Sequence, residues 1–241
     1  MGYGRSRTTS LKSYGEEIKD AHRDIGRLPV YSFERKVIHM TTAEKDPCVI
    51  LESARGFETL YLKDKLLSDS REIFLTKEVN AMSCDSLITQ LMYLNRDEPE
   101  KEITFYINSP GGSVADGLAV YDVIRLLDAP VRTVCMGTCA SMGAILFLAG
   151  TRREIMEHGR IMVHDPAFGG NHDIGGKKPH QIQSELDDLN RCRESLAQII
   201  SERTGKSLDE VYKITANDTY FSAQEAVEFG LATNIIRKDG N

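Results

Sequence analysis

The stretch VRTVCMGTCASMGAILFLA, residues 131–149, contains the change from strand to helix on which the predicted fold rests. Residues 131–136 are mostly β-branched or apolar and predict a strand. The small residues of 137–144 follow, and the apolar run 145–149 predicts a helix. The chain therefore passes directly from a strand into a helix, with Ser141 at the helix N-terminus.

Strand and helix patterns continue to alternate from Pro47 onward. Because strand, helix and strand in succession form right-handed crossovers, the alternation predicts an α/β fold with a largely parallel sheet. Pro179–Thr204 predicts the longest helix, since its apolar residues recur at helical spacings, and Gly205 ends it. The other predicted elements are strands at 73–75, 103–107, 160–163 and 235–236, and helices at 83–94, at 114–127 and from a Ser222 capping box to Gly230.

Residues 1–46 differ in composition from the rest of the chain. They are polar, mixed in charge and without a sustained apolar period, so they predict a flexible N-terminal extension. Residues 47–241 predict one domain, because a single core can absorb up to roughly 250 residues. The net charge of −6 disfavours a nucleic-acid partner. No run of roughly 18 apolar residues predicts a membrane span.

Cysteine usage bears on the compartment and on metal binding. The chain has 5 cysteines, an odd number, and no C-x-x-C pair, so neither a disulfide framework nor a zinc ribbon is indicated. Reduced thiols in a cytoplasmic protein are the favoured interpretation. A metal site built from His158, His172 and Asp173 would lack tight ligand spacing, so we expect a solvated surface there, without metal or cofactor.

Ser141 and the loop NSPGGS, residues 108–113, are the first candidates for chemistry. The amides of a helix N-terminus favour an anion, which is what an oxyanion requires, and small neighbours let a substrate approach Ser141. The loop glycines can turn their amides outward, either to donate to an oxyanion or to hold an extended peptide. Each segment also has a structural interpretation: Ser141 as a helix N-cap, and the loop as an ordinary β-to-α turn.

His164 and Asp218 complete a candidate set. His164 follows the predicted strand 160–163, and reactive groups collect at the carboxyl ends of parallel strands. Asp218 lies in a predicted turn before the C-terminal helix, where an aspartate can simply bind local amides. A hydroxyl, an imidazole and a carboxylate are the minimum set with which a serine attacks an acyl group. The residues alone are compatible with an α/β hydrolase but do not establish one.

Four sequence blocks occur in a recognisable order: YINSPGG at 106–112, CMGTCASMGA at 135–144, MVHDP at 162–166, and FSAQEA at 221–226 with Gly230 and Leu231. In these blocks the chain resembles the proteolytic subunit of the caseinolytic (Clp) ATP-dependent protease. The resemblance runs from about Val49 to Ile236. It implies the crotonase/ClpP-like fold, a repeated ββα spiral, with Pro179–Thr204 as the protruding handle helix.

The resemblance also assigns roles to individual residues. It implies a serine endopeptidase with Ser141 as nucleophile, His164 as general base and Asp218 as orienting acid. The oxyanion amides fall on Gly112 and Met142. The substrate-binding positions are Gly111, Gly112 and Ser113.

Partners follow from the same resemblance. Members of the family form two stacked seven-membered rings that enclose a chamber, and a ring-shaped AAA+ ATPase unfoldase threads unfolded polypeptide substrates into it. The partner would spend the ATP, because no P-loop motif occurs in this chain. An apolar docking pocket for the ATPase is similar to Tyr106, Val134 and Met136. Neither nucleic acid nor membrane is an expected partner.

Departures from the family pattern keep alternatives open. Thr104 stands where an aromatic residue of the docking pocket is usual, and Ala216 and Asn217 replace charged residues that pair across the rings. These changes motivate the alternative of a regulatory or scaffolding subunit of a mixed Clp ring with little activity of its own. A crotonase-type acyl-CoA enzyme would share the spiral fold, but it would not need a serine nucleophile. The extension of residues 1–46 could be a propeptide, a pore plug or a tether.

Overall fold

The computed structural model describes residues 36–39, 47–53, 56–169 and 175–238. Contacts divide the chain into two compact units, the first ending at Leu60 and the second beginning at Tyr61. In the first unit three strands form a sheet in chain order, with β1 and β2 antiparallel: β1 (Lys36–His39), β2 (Cys48–Ser53) and β3 (Gly56–Tyr61). Apart from β1, the predicted extension lies outside the described residues. The domain boundary after residue 46 stays a prediction.

A seven-stranded sheet forms the frame of the second unit. Its strands are β4 (Glu72–Leu75), β5 (Ile103–Ser109), β6 (Val131–Ala140), β7 (Arg152–Met156), β8 (Arg160–Val163), β9 (Thr219–Ser222) and β10 (Asn234–Ile236). The strands β10, β7, β6, β5 and β4 lie side by side in that order, and every pair is parallel. Beyond them, β8 pairs parallel with the far end of β6, and β9 pairs antiparallel with β8. The predicted α/β fold with a largely parallel sheet is confirmed.

Helices connect these strands within the described ranges. They are α1 (Leu62–Ser70), α2 (Ala81–Asp97), α3 (Val114–Leu126), α4 (Met142–Leu148), α5 (Pro179–Thr204), α6 (Leu208–Thr215) and α7 (Ala223–Phe229). The bounds of α5 are those predicted, and Gly205 ends it with a left-handed φ of 75°. The predicted capping box is also confirmed, because the Ser222 amide donates to Glu225 Oε2 at 2.8 Å and Ser222 Oγ accepts from the Glu225 amide at 3.4 Å.

The core lies between the sheet and the helices. On β5, alternate residues face it, and Ile103, Phe105 and Ile107 are fully buried. All residues of α4 are buried, because the helix is apolar or glycine on every side. The N-terminus of α4, which follows Ser141, is therefore fixed by packing all around.

No helix in the described ranges is long and apolar enough to cross a membrane. Cys84, Cys135 and Cys139 are buried free thiols, and Cys48 and Cys192 are half-buried ones. Within the same ranges, no three or more His, Cys, Asp or Glu side chains cluster so as to hold a metal ion. His172 and Asp173 lie outside the described residues.

Two neighbours on α2 test the assignment of its faces. Leu91 is fully buried, whereas the side chain of Met92 is 51% exposed. Leu91→Ala should lower the free energy of unfolding by about 2–5 kcal/mol, because it removes buried methyl groups and leaves a cavity. Met92→Ala should change it by less than about 0.5 kcal/mol. Denaturant unfolding at one protein concentration measures both, and equal losses would contradict the assignment.

Candidate active site

Three neighbouring strands bring the predicted catalytic residues to one end of the sheet. The last residue of β6 precedes Ser141, the last residue of β8 precedes His164, and Asp218 precedes β9. Val163 lies opposite Thr219 in the antiparallel pairing of β8 with β9. The next pair along that register is His164 and Asp218, and residues directly opposite each other in such a pair project from the same face.

The three side chains form one row. His164 Nε2 lies 2.9 Å from Ser141 Oγ, and His164 Nδ1 lies 3.3 Å from Asp218 Oδ1. The main-chain N–H of Ser141 donates to the carbonyl of Met162 at 2.9 Å, which ties the serine turn to β8. The imidazole can therefore accept a proton from the hydroxyl on one side while a carboxylate faces its other nitrogen.

Ser141 has a strained backbone. Its φ of 53° and ψ of −123° fit the first central residue of a type II′ turn, a position that favours glycine. Ser141 occupies the N-cap position of α4, yet its side chain makes no capping hydrogen bond. Ser141 is therefore an N-cap by position, as the structural interpretation predicted, but its hydroxyl faces His164 instead of capping the helix.

The amides of Gly112 and Met142 lie at the same junction. Neither has a hydrogen-bond partner within the described part of the chain. Gly111 has a φ of 94°, and a β-carbon on it would lie 2.7 Å from Ser141 Cβ and 2.9 Å from the Met142 nitrogen. The glycine loop thus packs its backbone directly on the serine turn, and the two free amides are available to an anion there.

Val79 fixes the other side of the glycine loop. Its amide donates to the Gly111 carbonyl, and its carbonyl accepts from the Ser113 amide, both at 2.8 Å. A β-carbon on Gly112 would lie 2.2 Å from the Val79 oxygen. The hydroxyl of Ser113 accepts from the Asp116 amide at 3.4 Å and so caps α3. Val79 carries no recognisable sequence signal, because its role depends on a contact made across the fold.

An apolar pocket opens beside Ser141 and His164, between α3, α4 and the handle helix α5. Its apolar lining comes from Val114, Met142, Ile145, Val163, Pro166, Leu196, Ala197 and Ile200. The helical period of 179–204 had already placed Leu196 and Ile200 on one apolar face. Polar groups reach the pocket from Asp165, Arg193 and Thr215, which sequence reasoning did not single out.

Two thiols lie behind the serine turn. Cys139 is fully buried, and burial raises the pKa of its thiol. A hydrogen bond with Cys139 lowers the pKa of the Cys135 thiol, but Cys135 is equally buried. Because reactive cysteines need both a thiolate and access, neither thiol competes with Ser141 for a substrate.

Comparison with known proteins identifies the family. The model of the Clp protease family matches residues 56–239. The ATP-dependent Clp protease proteolytic subunit 2 of Parasynechococcus marenigrum (strain WH8102) is 40% identical over 194 residues, 80% of this chain and 95% of the relative. Proteolytic subunit 1 of Synechococcus sp. (strain CC9902) is 39% identical over 194 residues, again 80% of this chain and 95% of the relative. Proteolytic subunit 1 of Prochlorococcus marinus subsp. pastoris is 38% identical over 192 residues, 79% of this chain and 95% of that relative.

The chain belongs to the Clp protease family. This confirms the resemblance and the predicted Clp-like fold, and it places the chain in a family of peptidases. The matched range contains the strand ends and the glycine loop described above.

Three residues of this chain are predicted to dock an ATPase. They lie on the face of the sheet that points away from the core. Tyr106 pairs with Val134 in register, and the Tyr106 ring stacks on Phe74 with the ring centres 5.1 Å apart. Val134 is fully buried, whereas Tyr106 and Met136 are half-buried. Sequence reasoning missed Phe74, which supplies an aromatic ring to the face where Thr104 lacks one.

Two substitutions of Ser141 test the backbone strain separately from the chemistry. Ser141→Ala and Ser141→Gly both remove the hydroxyl, and they differ in the β-carbon, which disfavours a positive φ. At most helical or extended positions glycine is less stable than alanine by roughly 0.5–1 kcal/mol. We expect the order to reverse here, with the glycine variant more stable by about 1 kcal/mol, because a left-handed conformation costs alanine energy. Denaturant midpoints measure the difference, and an alanine variant of greater stability would contradict the assigned turn.

Proposed function

We propose that this chain is a serine endopeptidase, the proteolytic subunit of an ATP-dependent Clp protease that degrades unfolded proteins to short peptides in the cytoplasm. The observation that carries the proposal is the row of Ser141, His164 and Asp218, with separations of 2.9 Å and 3.3 Å. The proposal is supported by relatives, 38–40% identical, that are named proteolytic subunits.

The proposed reaction proceeds through an acyl-enzyme. His164 Nε2 takes the proton of Ser141 as the oxygen attacks the scissile carbonyl, and Asp218 stabilises the imidazolium that forms. The negative charge that develops on the carbonyl oxygen is met by the amides of Gly112 and Met142. His164 then gives its proton to the leaving amine, and water attacks the ester with the same base.

The apolar pocket bears on which side chain precedes the cleaved bond. Its lining of aliphatic groups favours an apolar side chain, since burial of such a group is favourable by about 25 cal/mol per Å². A charged side chain would lose its hydration there without a free charged partner, because Asp165 and Arg193, the oppositely charged residues of the lining, already pair with each other. Extended backbone on either side would lie along Gly111, Gly112 and Ser113.

Confinement is the second part of the proposal. In two stacked seven-membered rings the site would face a closed chamber, so folded proteins would be spared. An AAA+ ATPase would unfold substrates and thread them in, and it would dock on the face that carries Tyr106, Val134 and Met136. The stacked ring of Phe74 makes this face aromatic although Thr104 does not.

A second candidate is a regulatory or scaffolding subunit of a mixed Clp ring. The separation of 3.3 Å between His164 Nδ1 and Asp218 Oδ1 exceeds the 2.7–2.9 Å typical of a charge-assisted hydrogen bond. The departures at Thr104, Ala216 and Asn217 point in the same direction. A chain that fails to react at Ser141 in any assembled state would favour the scaffold.

A fluorophosphonate probe and a fluorogenic peptide test the proposed nucleophile. We expect wild-type protein to be labelled at Ser141, and Ser141→Ala to lose labelling and at least about 10⁴-fold in peptide hydrolysis. Ser195→Ala is the matched control, because Ser195 is exposed on α5 and its hydroxyl only donates to a helix carbonyl. Native mass measured on the same samples reports whether the active form is a multiple ring. Peptidase activity that survives in Ser141→Ala would overturn the assignment.

Gly112→Ala tests the proposed oxyanion amide. A β-carbon there would lie 2.2 Å from the Val79 oxygen, and the φ of 146° is unfavourable for alanine, so the amide must move. We expect kcat for peptide hydrolysis to fall by about 10²–10³-fold, the usual cost of one oxyanion donor. Gly169→Ala is the control, since nothing lies within 4 Å of its added β-carbon.

Circular dichroism and the thermal midpoint establish that the Gly112→Ala protein is folded before its kinetics are compared. Unchanged kcat in a folded Gly112→Ala protein would contradict the assignment of this amide.

A further inference from the structure

An ion pair joins the residue that follows His164 to the handle helix. Asp165 Oδ2 accepts a hydrogen bond from Arg193 Nε at 2.7 Å. The main-chain N–H of Asp165 also donates to the carbonyl of Thr215 at 2.6 Å. Thr215 is the last residue of α6, just upstream of Asp218. Asp165 therefore contacts α5 through its side chain and the segment leading to Asp218 through its backbone.

Arg193, on α5, also contacts α6, the helix that ends at Thr215. Its guanidinium carbon lies 4.5 Å from the centre of the Tyr212 ring, within range of a cation–π interaction. These contacts connect three segments of the chain. Asp165 binds Arg193, and Arg193 packs on Tyr212 of α6. Thr215, at the end of α6, binds Asp165 in turn. A guanidinium suits this position because it can bind a carboxylate at its edge and an aromatic ring at its face.

The buried part of α5 fixes the position of these contacts. Leu196, Ala197 and Ile200 are buried in the core, and they begin just beyond Arg193 along the helix. A side chain that projects from this rigid stretch has a fixed origin. Arg193 therefore holds the two segments that it contacts, at Asp165 and at Tyr212, in a fixed position relative to the core.

Asp218 needs such an external constraint. Its side chain is 60% exposed, so packing does not hold the carboxylate in place. The pairing of β8 with β9 begins only at the following residue, Thr219, whose hydroxyl donates to the Ile214 carbonyl at 2.7 Å. The turn that carries Asp218 is thus fixed at its end by β9 and at its start by the carbonyl of Thr215, which Asp165 binds.

We propose that Asp165 and Arg193 are positioning residues that keep the turn bearing Asp218 aligned with the imidazole of His164. The inference rests on the proposed peptidase function and extends it. Breaking the pair leaves every catalytic group in the chain but lets the carboxylate and the imidazole drift apart. Because a misplacement of about 1 Å can cost roughly 10²-fold in rate, the positioning effect appears in kcat, whereas a change in the pocket that both residues line appears in KM.

The experiment compares Arg193→Leu, Asp165→Ala and the double variant with wild-type protein, using the fluorogenic peptide and the rate of fluorophosphonate labelling. Each single variant should lower kcat and the labelling rate by about 10-fold to 100-fold, and this loss should exceed any change in KM, since both residues also line the pocket. The double variant should fall no further than the worse single one, since both remove the same contact. Arg193→Lys should recover part of the loss, because it restores the charge but not the planar fork.

Arg191→Leu is the matched control. Arg191 lies on the same helix and pairs with Asp188 at 3.1 Å, but both side chains are exposed. Its removal should leave kcat unchanged. Thermal midpoints of all variants separate a positioning effect from a loss of folded protein.

Wild-type kcat in Arg193→Leu and Asp165→Ala would overturn the inference while leaving the peptidase in place. Three other results would overturn it as well: a loss that appears only in KM, an equal loss of kcat in Arg191→Leu, or a loss of kcat that matches the fraction of unfolded protein. Wild-type protein that neither hydrolyses peptide nor labels at Ser141 would overturn the proposed function, and this assignment with it.

Discussion

The site depends on the position of β8 between β6 and β9. The first half of β6 pairs with β7 and its last residues pair with β8, so the residue after β6 is delivered beside the end of β8. The antiparallel pairing with β9 then sets Asp218 across from His164. Because side chains alternate along a strand, a slip of one residue in either pairing would turn a member of the set to the opposite face. Register, more than any single contact, decides whether the three groups meet.

The strained serine turn is tolerated because its surroundings leave it no alternative. The backbone of Ser141 costs of order 1–3 kcal/mol relative to a relaxed conformation. The fully buried helix α4 holds the Ser141 backbone on one side, and the hydrogen bond to Met162 holds it on the other. Gly111 closes the third side, where any side chain would collide with the turn. Backbone groups therefore make up much of the site, so its geometry tolerates little change at the glycines.

The sequence revealed the parts of the fold whose signals are local. The handle helix was predicted from about Pro179 to Thr204, and the structure gives these bounds, because its apolar period, Pro179 and Gly205 all lie within one segment. β7 was missed because Arg153 lies in it, buried at 8% exposure, and its guanidinium donates to the carbonyls of Leu231, Gly230 and Arg203. Burial lowers the pKa of this arginine to about 10, which sequence pattern does not anticipate. The candidate triad followed from motifs, whereas Val79, Phe74 and the Asp165–Arg193 pair act across long sequence separations and left no local pattern.

Exposure of Asp218 connects the proposed chemistry with the proposed assembly. In the serine protease triad that serves as reference, the aspartate is buried, and a low local dielectric strengthens its interaction with the histidine. Here the carboxylate side chain is 60% exposed, so water competes for it and its orientation depends on the turn that carries it. Covering that surface with another chain would strengthen the interaction between Asp218 and His164. The ring proposed here would then contribute to the chemistry of each subunit as well as confine it, and Ala216 and Asn217, exposed beside Asp218, lie where such a contact would form.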